Sequence, residues 1–424
     1  MTPEVKQRIE QIRCGEVPEG YKKTALGVVP AHWIETTLGE IYTERNEPGN
    51  DDLPLLMVSI HSGVSDGEVD EEDLPKKVKR IEDKSQYKHA LPGDLVFNMM
   101  RAWQGAIGSV RTEGMVSPAY IVAKPNDMVD PIFMDYYMKM PRMISMIHRQ
   151  SYGVTDFRLR LYWDSFSPIP CVLPPIEEQR RIAEILSVQD AHISLQLKKL
   201  AAYQHLKKTF LGKMLPKGGS NEPELRFGGF TDAWEQRKFS DLAQRESTFC
   251  ASSSGLPGVE YEDVVAGEGR LNKDIRLKEV QKTGIIFDGT QVLYGKLRPY
   301  LHNWLSPDFQ GVAIGDWWVL RPIGIDKNFL FRLIQTKQFD EVANQSSGSK
   351  MPRADWNLVS NTDFSIPSSL DEQKQIAASF EELDTLITLH QRKVDFTQTK
   401  KDVLMQLLLT GLVTVKRRNH GLLI

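Results

Sequence analysis

Residues that could carry out covalent chemistry occur along this 424-residue chain, but not in working sets. Gly289 to Leu297 comes close to a phosphate-binding loop, in which a lysine meets phosphate and the following Ser or Thr ligates Mg2+. It is one residue too long, and Leu297 offers no oxygen to a cation. Leu173-Pro174-Pro175-Ile176 has the diproline of amino-group methyltransferases without a polar residue to hold the amine. Gly267-Glu268-Gly269 lacks the third glycine of a dinucleotide loop. The nine histidines form no HxxxH or HxH pair, and no nuclease-like carboxylate–lysine set stands out. Cys14, Cys171 and Cys250 are odd in number and not in CxxC spacing, which argues against a zinc site and a disulfide framework. Together these absences favour a binding protein over an enzyme.

What the chain does contain is a repeat. Ile176-Glu177-Glu178-Gln179-Arg180-Arg181-Ile182-Ala183 returns as Leu370-Asp371-Glu372-Gln373-Lys374-Gln375-Ile376-Ala377. Gly27 to Trp33 parallels Gly228 to Trp234, and Gly93 to Phe97 with Arg101 parallels Gly289 to Leu293 with Arg298. Gly114 to Pro125 parallels Gly311 to Pro322, and Gly153 with Arg158 parallels Gly348 with Arg353. Five matches in one order, about 194 to 201 residues apart, describe a duplicated domain. Solenoid repeats are far shorter, about 20–50 residues. Two copies of "variable domain, then long helix" suit a molecule that reads two places on one long partner.

Composition sets the frame. A hydrophobic content of 41% with 26% charged residues is that of a water-soluble globular chain of two to three domains. No run approaches 18 apolar residues, and the charged N-terminus lacks the apolar core of a signal peptide, so the expected compartment is the cytoplasm and no membrane is a partner. The net charge of −3 does not announce a nucleic-acid binder. Local positive surface suffices for one, and three clusters supply it: Lys76 to Arg80, Arg158 to Arg160 and Lys416 to Arg418.

The elements that must position these residues are of two kinds. Short apolar runs bounded by Pro and Gly, at Leu55–Ile60, Asp94–Phe97 and Tyr120–Ala123, predict buried strands. Helical spacing predicts a short helix over Pro3 to about Cys14, a helix over Ile132–Ile147 and its counterpart over Phe329–Phe339. The domains are therefore α+β. The second kind is long. Glu177–Leu211 is free of Gly and Pro, follows Pro174-Pro175, and is expected to stop at Gly212 and Pro216. Asp371 to about Leu409 stops at Gly411. Ile182, Leu186, Ile193, Leu197 and Leu200, with Tyr203, Leu206 and Phe210, lie near a 3.5-residue period. So do Ile376, Phe380, Leu383, Ile387 and Val394, with Leu404 and Leu408. Such stripes predict that the helices, each on the order of 50 Å long, pair as a coiled coil. His390, Thr397 and Lys401 interrupt the stripe; they either fix register or tolerate water at a frayed seam. The first helix is net positive and the second net negative, which favours their pairing. The expected divisions are 1–172, 173–215, 216–369 and 370–424.

At the two Glu-Gln helix openings the chain resembles the DNA-specificity subunits of type I restriction–modification systems. Gly20 to Gly27 with Trp33, and Arg226-Phe227 with Phe230, Thr231, Asp232 and Trp234, look like that family's leads into its two target recognition domains. Phe97 to Trp103 with Ser117 to Tyr120, and Lys296 to Tyr300, are familiar there as well. One departure is Ser368-Ser369 in place of Pro174-Pro175. The resemblance implies two tandem target recognition domains separated by two long antiparallel helices, with an internal pseudo-two-fold repeat. Each domain would read half of a split, asymmetric site on double-stranded DNA, and the helices would set the unread gap. It implies two methyltransferase subunits acting on adenine N6 with S-adenosylmethionine, and two ATP- and Mg2+-dependent restriction–translocase subunits. This chain would supply recognition and assembly in host defence, binding no cofactor or metal and catalysing nothing.

Major-groove readout needs Arg, Lys, Asn, Gln and Ser/Thr on positioned loops, and phosphates need Lys, Ser and backbone N–H groups. The candidates are Asn98, Arg101, Gln104, Tyr152, Thr155 and Arg158 in the first domain, and Lys296, Arg298, Tyr300, Ser347, Lys350 and Arg353 in the second. Two rival classes stand beside this reading. One is a stand-alone DNA-binding regulator, which would bind tightly without partners. The other is a fused DNA-modifying enzyme with an unrecognised catalytic motif. Co-purification of a methyltransferase would separate them from the favoured reading.

Overall fold

The computed structural model describes residues 3–60, 63–65, 83–153, 158–216, 220–277, 281–345, 351–418 and 421–423. The chain divides into two compact units, Met1–Ser194 with Asp395–Ile424, and Leu195–Val394. Each unit owns one half of each long helix, Ile176–Met214 and Leu370–Leu409. No helix among the described residues is long and apolar enough to cross a membrane.

The first unit is built on a four-stranded antiparallel sheet in the order Tyr42–Arg45, Tyr120–Pro125, Leu95–Asn98, Ile107–Ser109. Its central strands are apolar at consecutive positions because both faces are covered. Leu95 and Phe97 join the core that receives the helices, whereas Val96 and Val122 face a second, smaller core with Leu56 and Val116. Side chains alternate faces along a strand, so a continuous apolar run means two cores. The expected strand at Leu55–Ile60 is reduced to Val58–Ser59, with Leu55 making an isolated bridge to Met115. The helix expected over Ile132–Ile147 is two helices, Pro131–Met138 and Pro141–Gln150. Pro141 has no N–H to give and restricts the residue before it, which ends one helix and starts the next.

The second unit repeats the strand order of the main sheet. Its main sheet runs Ala243–Arg245, Trp317–Pro322, Val292–Gly295, Trp304–Leu305. Val292 and Tyr294 face the larger core, and Leu293 and Val319 face the smaller. The helix expected over Phe329–Phe339 is again broken in two, Lys327–Leu333 and Lys337–Ala343, with Thr336 capping the second piece. In each unit a two-stranded ladder closes the domain next to the long helix: Ile34–Thr37 with Pro170–Leu173, and Glu235–Lys238 with Asp363–Ile366.

The repeated Glu-Gln pair is what fastens domain to helix. Gln179 is 1% exposed; its amide donates to the Met128 and Pro174 carbonyls (2.8 and 2.9 Å), and its oxygen accepts from the Asp130 N–H (2.9 Å). Gln373 repeats this with the Pro367 carbonyl and the Asp326 N–H, both at 2.8 Å. Asp130 and Asp326 in turn cap the first domain helix that follows each of them. Glu178 takes His32 and the Val415 N–H, and Glu372 takes both ends of the Arg226 fork and the Trp234 indole N–H.

Within each unit the halves of the two long helices run against each other. In the second unit Gln196 meets His390, and further along Lys207 meets Asp384 (2.6 Å), so one number rises as the other falls. In the first unit Asp190 meets Lys401 at 2.5 Å, whose ammonium lies 5.2 Å from the centre of the Tyr136 ring. Ile182, Leu186, Ile193, Leu200, Ile376, Phe380, Leu383 and Ile387 are buried, and Val394 is half-buried. Leu197 corrects the expectation: it is 47% exposed. Strict alternation of four and three residues through Ile182, Leu186, Gln189, Ile193, Gln196 and Leu200 puts Gln196, not Leu197, on the seam. Leu206 is turned out for the same reason. Gly212 does not stop the first helix, which continues to Met214 and ends ahead of Pro216. His390 donates from Nδ1 to the Gln196 amide oxygen (2.7 Å) and stacks on Tyr203, so this interruption is a satisfied contact rather than a frayed one.

Candidate nucleic-acid interface

Each main sheet ends its Gly-led strand in a loop held by the same backbone hydrogen bonds. In the first unit the Met99 N–H donates to the Ala119 carbonyl (3.1 Å), and the Met99 carbonyl accepts from the Leu161 N–H (2.9 Å). In the second, the Lys296 N–H donates to Asp316 (2.9 Å), and the Lys296 carbonyl accepts from Ala354 (2.8 Å). Three segments therefore meet at one station in each unit: a strand end, the turn before the neighbouring strand, and an extended piece leading to Trp163 or Trp356.

The first station carries Asn98, Arg101 and Gln104. The Asn98 side chain accepts from the Met100 N–H (2.9 Å) and also bonds the half-buried Tyr120 hydroxyl, whose pKa burial pushes up. Arg101 opens a single 3-10 turn, Ala102–Gln104, which buried Ala102 anchors and Gly105 closes with φ +98°. This leaves Arg101 and Gln104 exposed at the rim. Tyr152 pairs with Arg160 through both backbone bonds, and its exposed ring packs 5.2 Å from Tyr162. A Cβ on Gly153 would lie 2.2 Å from the Arg158 carbonyl oxygen, so the backbones approach this closely only at a glycine. Arg158 is exposed on its far side; Thr155 lies outside the described residues.

The second station carries Lys296, Arg298, Tyr300 and Arg353. Arg298 adopts the left-handed backbone region (φ +50°) ahead of Pro299, a conformation costly for a residue with a Cβ. A bond from its N–H to the Pro352 carbonyl (2.7 Å) holds it there, and both Arg298 and Tyr300 are exposed. Arg353 grips Asp316 with Nη2 (3.0 Å) and Nε (3.3 Å), and Lys296 stands 3.5 Å from the same carboxylate. Burial works against charge on Asp316, but Arg353 and then Lys296 outweigh it and hold the carboxyl below its ordinary value. Ser347 and Lys350 lie outside the described residues, as does the Lys76–Arg80 cluster.

The sequence pairing of Arg158 with Arg353 is corrected here. The backbone bonds align Leu161 with Ala354, which makes Arg160 the counterpart of Arg353. A shared Arg-x-x-Trp, at Arg160–Trp163 and Arg353–Trp356, carries the same alignment. Arg160 is exposed and has no acidic partner among the described residues, because Ala119 stands where the second unit has Asp316.

Among the described residues no group of three His, Cys, Asp or Glu side chains could hold a metal ion. What the stations offer is exposed, fixed hydrogen-bond donors. Residues 232–395 match the family model described as "Type I restriction modification DNA specificity domain". The chain is 25% identical to the type I restriction enzyme MjaVIII specificity subunit of Methanocaldococcus jannaschii, over 72% of this chain and 76% of that one. It is 20% identical to the putative MjaX specificity subunit of the same organism, over 94% and 97%. A solved type I restriction–modification S subunit from M. genitalium has the same fold, with a TM-score of 0.53 at 12% identity, over 89% of this chain and 96% of that one. Residues 232–395 thus match the type I restriction–modification DNA specificity domain, and the chain is similar to type I specificity subunits over most of its length. The family's role is DNA recognition, and its members are the non-catalytic subunits of their systems.

Proposed function

We propose that the chain reads a bipartite, asymmetric site on double-stranded DNA, one half with the station at Asn98–Gln104 and the other with the station at Lys296–Tyr300. The target recognition domains are 1–172 and 216–369. The helices of 173–215 and 370–424 form an antiparallel coiled coil that relates the two copies by a pseudo-two-fold axis, sets the unread gap and docks the catalytic partners. These are two methyltransferase subunits with S-adenosylmethionine and two restriction–translocase subunits with ATP and Mg2+, assembled in the cytoplasm. The observation that carries this reading is the recurrence of an exposed arginine, Arg101 and Arg298, at one backbone station of two sheets built alike. The opposed numbering of helix contacts within each unit supports the coiled coil.

The test is methylation mapping of the assembled complex. Four residues inserted in the middle of each long helix add about 6 Å, one to two base-pair steps of about 3.4 Å. The same half-sites should then be methylated across a gap longer by one or two base pairs. Retained activity with an unchanged gap would show that the helices do not measure the distance.

A further inference from the structure

We propose that Arg353 reads a guanine in the half-site of the second unit, and that Asp316 is the positioning residue that makes this reading specific. The inference rests on the DNA-reading function proposed above. Its basis is the geometry of the Lys296–Asp316–Arg353 cluster. A guanidinium is a planar fork of five donors, and guanine presents two acceptors, O6 and N7, side by side in the major groove. A free arginine reaches such an edge from many rotamers. Arg353 is instead tied through Nε and Nη2 to Asp316, which leaves Nη1 and the outer face of the fork for a partner. Its side chain is still 52% exposed.

The backbone that carries this carboxylate is itself fixed. Gly315 precedes it with φ +102°, and the Asp316 carbonyl accepts from both the Lys296 N–H and the Tyr261 hydroxyl. Tyr261 also accepts from the Leu297 N–H (3.2 Å), which ties the turn to the strand end. An acidic group between two cations argues against a phosphate partner. It would repel phosphate and cancel one of the charges that attract it. It suits a base edge, where aim matters more than charge.

The test uses the full chain co-expressed with its methyltransferase partner, and a library of duplexes randomised over the half-sites. Arg353→Ala should erase a guanine preference at one position of one half-site, a loss of roughly tenfold or more in discrimination. Asp316→Ala should weaken the same preference at the same position, with the salt dependence of binding no lower than before. Asp316→Asn, which keeps an acceptor without the charge, should fall between wild type and Asp316→Ala, and it stands in if the alanine variant fails to fold. A uniform loss over all sequences with a shallower salt dependence would make Arg353 a phosphate contact and overturn the proposal. So would a cytosine preference lost with Asp316 but kept without Arg353, or unchanged preferences in both variants. If the wild-type complex selects no sequence at all, the DNA-reading function fails and this inference with it. If it selects a bipartite site that Arg353→Ala leaves intact, only this inference fails.

Discussion

At the same backbone station one unit presents Met99, Ala119 and Arg160, and the other Lys296, Asp316 and Arg353. The hydrogen bonds that build the station are main-chain bonds in both, and they place equivalent Cα positions around the same strand end. The side chains share only the arginine. One copy holds it in an ion-paired cluster, and in the other it has no acidic partner among the described residues. The scaffold of each station is thus written in backbone geometry, and the two copies carry different side chains on it.

The largest expected effect tests the scaffold half of that statement. Gln179→Leu leaves the Met128 and Pro174 carbonyls and the Asp130 N–H without a partner, whereas Gln373→Leu strands only the Pro367 carbonyl and the Asp326 N–H. At about 1–3 kcal/mol for each buried group left unpaired, both variants should lose stability, with Gln179→Leu losing more. Calorimetric unfolding decides it, and a loss below about 1 kcal/mol in both would remove the anchoring role.

Next come Arg101→Ala and Arg298→Ala. Each should impair one half-site only, by roughly 1–3 kcal/mol of discrimination. Binding arrays with each half mutated in turn would read this out, and equal damage to both halves would break the assignment of one station to one half.

A smaller effect should come from making the stations alike. Ala119→Asp places a carboxylate beside Arg160, and it should sharpen base preference at one position of the first half-site by about 1 kcal/mol. No gain there would mean that the second cluster depends on more than its acid.

The smallest effect concerns the seam. Burial, then the charges of Lys393 and Lys199, hold His390 below its ordinary value of about 6.5. The unfolded chain therefore takes up the proton first. The stability His390 contributes is present above about pH 6.5 and is lost as pH falls from there through its lower folded value. Unfolding midpoints at pH 7.5 and 5.5 should differ less in His390→Gln than in wild type, and an identical pH response would show that His390 is not the group responsible.

Much of this arrangement was legible beforehand. The strand at Leu95–Phe97 and the two long helices follow from runs and periods that local sequence carries. Leu197 falls on the predicted stripe because leucine at an approximate 3.5 spacing looks like a seam residue. Only the strict count, which hands the position to Gln196, excludes it. Aligning the loop on its glycine pairs Arg158 with Arg353 and hides Arg160. The two segments from glycine to tryptophan differ in length, and the register returns at Arg160 and Arg353. Asp316 had no signal at all, since a single aspartate declares its role only when Lys296 and Arg353 are brought to it by residues far along the chain. The Glu-Gln pairs were recognised as markers, but their work as fasteners depends on carbonyls that sequence does not display.

Those fasteners have one more consequence. Gln179 and Gln373 hydrogen-bond their domains through peptide groups, so the glutamine half of the joint makes no demand on domain side chains, while Glu178 and Glu372 hold His32, Arg226 and Trp234. A different recognition domain with the same turn ahead of its capped helix would fit the same socket. The glutamine is a coupling made to main chain, the same in both copies although the side chains around it differ.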